Sequence, residues 1–98
     1  MPVNVIAHFP VHPERTEEFL AALHDALAAT RGFDGCEVVD TYVDVDRPGL
    51  VILLESWPTK DHHRRYLQWR RESRTGEVLA PFLSGPITFH YLQARPEI

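Results

Sequence analysis

The stretch 50-LVILLESW-57 decides the fold. It is apolar on both alternating faces. A strand of that kind belongs at the centre of a sheet whose two sides are both covered. Just before it, 46-DRPG-49 combines a proline that fixes φ with a glycine, a strong turn signal. Before the turn, 36-CEVVDTYVDV-45 alternates as a strand should, with Val39, Thr41, Val43 and Val45 on one side and Val38, Asp40 and Tyr42 on the other. These two segments read as a hairpin.

Working outward, 3-VNVIAHF-9 is a further β-branched, apolar strand, closed by Pro10 and Pro13. From Glu14 to Thr30 the period is helical, with Phe19, Leu20, Leu23 and Leu27 on one stripe. Glu14, Glu17 and Glu18 fall in the first turns, where the helix dipole favours negative charge. Gly32 and Gly35 mark a turn before the hairpin. Residues 59–74 form a second helix with Thr59 as N-cap. The segment 77–86 is a partly apolar connector broken at Pro81, and 87-ITFHYLQA-94 is a closing strand. The order β-α-β-β-α-β predicts the split βαβ, ferredoxin-like α+β plan, a four-stranded antiparallel sheet with strands one and three central. Two helices cover only one side of such a sheet. The apolar residues left over on strands two and three (Val39, Val43, Val45; Leu50, Ile52, Leu54) therefore predict a homodimer through the sheet faces.

Composition sets the outer bounds. Ninety-eight residues make a single domain, 1–98. A chain of this size buries only about 60–68% of its unfolded surface, which adds to the case for a partner. Cys36 is the one cysteine, so no internal disulfide forms, and a lone thiol fits a reducing compartment. The start, MPVNVIAHFPVHPER, lacks the pattern of a signal peptide, and no apolar run approaches the ~20 residues of a membrane span. A cytoplasmic protein is expected. The net charge of −4 argues against nucleic acid as a partner.

The chemistry concentrates in 57-WPTKDHHRRYLQWR-70. His62 and His63 are adjacent, so on a helix they point about 100° apart and do not share one ion. No Cys, His and carboxylate cluster has ligand spacing, and no metal site is expected. Six cations between Lys60 and Arg74 stand against Asp61 and Glu72. A solvated face is the first account of them, an arginine over a pocket mouth the second. The remaining reading is a pocket. His62, Tyr66 and Trp69 fall at i, i+4 and i+7, while His63, Tyr66, Leu67 and Arg70 form an overlapping stripe. Buried Tyr, Trp and His need polar partners, so this aromatic face with polar tips suits a small-molecule slot. Trp57 ends the central strand just before it. Among the phosphate and nucleophile motifs, GxSxG, the P-loop and GxGxxG are all missing.

The helix opening VHPERTEEFLAAL, the turn FDGCEVVDTYVD, the strand LLESW followed by a helix, and the closing APFLSGPITFHY together resemble the antibiotic biosynthesis monooxygenase (ABM) superfamily of dimeric α+β barrels. The resemblance covers nearly the whole chain. It implies a ligand site between each sheet and its own helices. It also implies, for some members, oxidation of phenols or quinols to quinones by O₂ with no metal or flavin, and for others haem degradation. Trp57 matches the family's tryptophan at the end of the third strand. Where haem-degrading members use asparagine stands His8, and where many members have a helical histidine stands Tyr66. Where polyketide oxidisers place an asparagine and a tyrosine stand Leu53 and His63. The expected activity is cofactor-free monooxygenation of an electron-rich phenol, quinol or anthrone-like aromatic. His8 or His63 is the expected base, and Trp57 with Tyr66 the expected oxyanion site. Leu53, His62, Trp69 and Phe82 are expected to contact the substrate. A non-catalytic module holding an aromatic metabolite and a haem-binding protein are the alternatives.

Overall fold

The computed structural model describes residues 2–98. Four strands, β1 (Val3–Pro10), β2 (Val38–Val43), β3 (Leu50–Trp57) and β4 (Thr88–Leu92), form one antiparallel sheet in the order β2-β3-β1-β4. Two helices, α1 (Thr16–Arg31) and α2 (Lys60–Ser73), pack on one side. This is the ferredoxin-like plan with β1 and β3 at the centre. The sheet is open and does not close into a barrel by itself.

Alternation along each strand sorts the side chains. Val5, Ala7 and Phe9 of β1 and Val51, Leu53, Glu55 and Trp57 of β3 lie beneath the helices, all buried. Phe19, Leu23 and Leu27 of α1 close over them, each side chain contributing roughly 1.5–3 kcal/mol by leaving water. The other face carries Ile6, His8, Tyr42, Ile52, Leu54 and His90, and among these Tyr42, Leu54 and His90 are exposed. Val39 corrects the reading of β2. It is opposite Glu55 on the helix side and buried, whereas Val38 and Tyr42 face outward. Val45 lies beyond the strand and is exposed.

Element ends follow local chemistry. Pro13 opens a 3-10 turn, Pro13–Arg15, so α1 starts at Thr16, whose Oγ1 donates to Pro13 O. β2 stops at Val43 because the Asp44 carboxylate accepts from the backbone N–H groups of Asp46 and Arg47 and bends the chain away. The reversal itself runs Arg47–Leu50, with Leu50 N donating to Arg47 O and Gly49 at φ +88°. That places Pro48 second and Gly49 third, the arrangement of a type II turn. Thr59 caps α2, its Oγ1 accepting from His62 N at 3.2 Å. At the other end Arg74 takes a left-handed φ of 59°. The chain after α2 is wound into 3-10 turns, Thr75–Val78 and Ala80–Phe82, that lay Leu79 into the core.

Candidate functional site

A cavity of about 120 Å³ lies between the sheet and the helical layer. Phe9, Leu53, Leu79 and Phe89 supply apolar wall, and Glu55, Tyr66 and Arg70 are its charged or hydroxyl-bearing side chains. β3 delivers Leu53 and Glu55 to this side because they are two residues apart. α2 delivers Tyr66 and Arg70 because they are four apart.

Glu55 is 5% exposed, a carboxyl group inside an apolar core. Trp57, two residues along the same strand face and wholly buried, donates from Nε1 to Glu55 Oε1 at 2.9 Å. Burial pushes the Glu55 carboxyl above its ordinary value, and the Trp57 hydrogen bond offsets part of that rise. His63 approaches from α2. Its Nε2 lies 3.7 Å from Glu55 Oε1, and its Nδ1 is hydrogen-bonded to the Tyr91 hydroxyl at 2.8 Å. The ring is 0% exposed, packed among Trp57, Phe89 and Tyr66. Burial pulls its pKa down to about 4, so the imidazole is neutral at pH 7.

The second polar group centres on Arg70. Its Nε donates to the Tyr66 hydroxyl at 2.7 Å, and Nη2 donates to Ala26 O and to Thr30 Oγ1 at 2.7 and 2.8 Å. The Tyr66 and Thr30 hydroxyls share a further hydrogen bond of 2.6 Å. Among the described residues no carboxylate lies within ion-pair distance of Arg70. A guanidinium held by neutral groups keeps its charge for whatever enters the cavity.

Leu53 and Tyr66 line the cavity. Trp57 and His63 stand one layer back, behind Glu55. The other expected site residues are elsewhere. His8 is on the open face of the sheet, its ring 5.5 Å from that of His90 and paired in register with Ile52. The strand period that buries Ala7 and Phe9 turns His8 outward. His62 belongs to the helix cap: Nδ1 is 2.7 Å from Thr59 Oγ1, and the ring covers Gly35. Trp69 stacks on Phe33 at 5.4 Å, and Phe82 packs against Phe19 with the Arg15 guanidinium 4.3 Å from its ring centre.

Glu55, Arg70 and Tyr91 lie outside the expected site residues, although the sequence carries a signal for the first. Leu53, Glu55 and Trp57 share one face of β3, so the lone carboxylate of LLESW had to be inward if its neighbours were. Arg70 falls on the α2 stripe with His63 and Tyr66, but that position alone does not single it out from the other arginines of the basic run. Tyr91 had no mark, since its partnership with His63 spans 28 residues.

The sequence pattern of the antibiotic biosynthesis monooxygenase family matches residues 2–71. No curated protein matches by sequence. Several solved structures share the fold. One is an antibiotic biosynthesis monooxygenase, 22% identical, covering 96% of this chain and 99% of its own, with a TM-score of 0.81. Another is Rv0793 from Mycobacterium tuberculosis, 26% identical over 97% and 96% of the two chains, TM-score 0.71. A third is SnoaB, a cofactor-independent oxygenase from Streptomyces nogalater, 19% identical over 96% and 93%, TM-score 0.78. The likeness at such identities carries the fold, and the pattern match over most of the chain carries the kinship. This chain belongs to the antibiotic biosynthesis monooxygenase family.

Proposed function

We propose that the protein is a cofactor-independent monooxygenase that oxidises a small, electron-rich phenol or quinol with O₂ to a quinone. The observation that carries this reading is Glu55, a buried carboxyl group on the wall of an apolar cavity, held by Trp57 and faced by a neutral histidine. A carboxylate of raised pKa is a better base than one in water, and its proton-transfer partner here is a phenolic hydroxyl. In this reaction the substrate supplies all the electrons. One oxygen atom of O₂ enters a ring carbon that carries hydrogen, para to the hydroxyl in a phenol (giving the quinone) or ortho to a hydroxyl in a quinol (giving a hydroxyquinone). The other oxygen leaves as water with the two lost hydrogens. The protein's tasks are to take the phenolic proton, stabilise the phenolate and exclude solvent. Glu55 takes the proton. Arg70, with the Tyr66 hydroxyl it holds, faces the developing anion. Leu53, Phe9 and Phe89 keep the slot dry.

Size narrows the substrate. At about 120 Å³ the space is below the roughly 150 Å³ of an apolar cavity that binds benzene. Only a single-ring phenol or quinol is therefore near its size, and its ring needs a small outward shift of the wall. An anthrone-like molecule requires the 75–82 segment to move outward. Haem does not fit these residues: His63 is sealed in the core, His8 lies on the opposite face, and the cavity is far smaller than the macrocycle. No helix among the described residues is long and apolar enough to cross a membrane. The 98 residues act as one cytoplasmic domain and pair as a homodimer through the open sheet face, with no nucleic-acid partner. The apolar Ile6, Ile52, Leu54 and Tyr42 on that face support the pairing.

The test is O₂ consumption by chelator-treated protein with one-, two- and three-ring phenols and quinols. Turnover highest for one ring and indifferent to chelation is expected. Uptake no faster than the uncatalysed rate across the panel would favour a binding module, and uptake abolished by chelation would mean metal chemistry.

A further inference from the structure

We propose that His63 and Tyr91 form a proton path that carries the proton taken by Glu55 away from the apolar cavity and returns it when water is formed. The inference rests on the reading of Glu55 as the cavity's base, and it assigns two residues that do not touch the substrate.

The geometry is a chain of polar atoms crossing an apolar core. Glu55 Oε1 is 3.7 Å from His63 Nε2, and His63 Nδ1 is 2.8 Å from the Tyr91 hydroxyl. Tyr91 is half-buried on β4, an edge strand of the sheet, with the Lys60 ammonium 4.6 Å from its ring centre. Aromatic rings of Trp57, Tyr66 and Phe89 surround the imidazole. The ionisable groups around this chain are Glu55 from β3, Tyr91 from β4, Tyr66, Lys60 and Arg64 from α2, and Cys36 from the turn before β2.

His63 Nε2 is fully buried and has no hydrogen-bond partner. A purely structural histidine would satisfy both nitrogens, because an unpaired buried polar atom costs about 1–3 kcal/mol. Here the open nitrogen points at the one carboxyl group of the cavity. A carboxylate offers Nε2 no proton, whereas a carboxylic acid does. With the ring hydrogen on Nδ1, Nε2 gains its hydrogen bond only when Glu55 is protonated and the 3.7 Å gap closes.

The proton count is closed. The path starts from the tautomer in which Nδ1–H donates to Tyr91 and Nε2 carries a lone pair, one of the two that the 2.8 Å contact allows. The substrate's phenolic proton passes to Glu55. Glu55 passes a proton to Nε2, Nδ1–H passes its proton to the Tyr91 oxygen, and the Tyr91 hydroxyl proton goes to surface water. One proton enters the chain and one leaves, and His63 ends with Nε2–H and an Nδ1 that accepts from Tyr91. The reverse sequence delivers a proton back to the cavity for the departing water and restores the first tautomer.

The experiment uses 4-nitrophenol, a single-ring phenol whose phenolate absorbs in the visible. Stopped-flow mixing in weakly buffered solution records phenolate formation and, with a pH indicator, proton release. Wild-type protein should form bound phenolate and release one proton at the same rate. Tyr91→Phe should leave the phenolate yield within about twofold but slow release about tenfold or more. His63→Ala should be slow as well and recover when free imidazole is added, which a structural role would not produce. Release from Tyr91→Phe as fast as wild type, with phenolate yield unchanged, would overturn the path while leaving Glu55 as the base. Binding without ionisation, or no binding, would overturn the reading of Glu55 and the path with it.

Discussion

His63 should make the fold sensitive to mild acid, and the size of the effect follows from its position. Its pKa stands at about 4 in the folded chain because burial disfavours the imidazolium, against an ordinary value near 6.5 in the unfolded chain. Above pH 6.5 neither state binds the proton. Below it the unfolded chain takes a proton that the folded chain refuses, so stability falls from about pH 6.5 and the loss is complete near pH 4. The total is about 3 kcal/mol, a large share of the ~5–15 kcal/mol expected of a domain. Glu55 has the opposite sign. Burial raises its pKa, so the stability it contributes is present below its ordinary value near 4.3 and is lost as pH rises through its folded value. The two slopes overlap, and a single wild-type curve would mix them. His63→Gln separates them, since the amide can still meet Tyr91 but does not titrate. Urea unfolding of both proteins from about pH 7.5 to about pH 4 gives the stability difference between them as a function of pH. That difference should change by about 3 kcal/mol against wild type as the pH falls. Parallel curves would refute the reasoning, for they would mean that His63 is solvated or ion-paired in the native state.

Other expectations are simpler. Tyr66→Phe removes the hydroxyl that joins Thr30 to Arg70 and should cost about 1–3 kcal/mol, read as a Tm lowered by roughly 4–8 °C per kcal/mol. Thr30→Val added to Tyr66→Phe should cost less than Thr30→Val alone, since the partner is already gone. Gly35→Ala should lower Tm, because Gly35 has φ +92° and a Cβ there would sit 2.6 Å from His62 Cδ2; about 1–3 kcal/mol is expected from backbone strain alone. Ile52→Lys places a charge on the open sheet face and should shift sedimentation from dimer to monomer, and an unchanged sedimentation coefficient would sink the proposed pairing.

The element order could be read because each segment had its own period and its own punctuation. Val51, Leu53 and Trp57 lie beneath the helices while Ile52 and Leu54 face away, as alternation along β3 requires. β2 was harder. The leftover apolar residues place Val39 and Val43 on the outer face, yet the pairing of Val39 with buried Glu55 puts that row on the helix side, where Val39 is buried and Val43 stays exposed at the sheet edge. A strand with valine on both rows gives alternation no means of choosing between them. The site was half visible for a related reason. Helical spacing points to Tyr66 but equally to His62, which sits at a helix cap, and the family resemblance points to His8, which sits on a strand's outer row. Glu55 is hard to read because a glutamate in a strand is usually solvated, and only the identity of its neighbours two residues away argues otherwise. The pairing of His63 with Tyr91 is tertiary and leaves no local trace.

The most direct measurement is O₂ uptake by metal-stripped wild-type protein and by Glu55→Gln, using the best single-ring quinol. Gln keeps an acceptor for Trp57 but cannot take a proton, so the variant should fold and bind the quinol. Its kcat should fall by about 10²–10⁴. Wild-type turnover in Glu55→Gln, with the fold and the cavity intact, would contradict the assignment of Glu55 as the group on which this site is built.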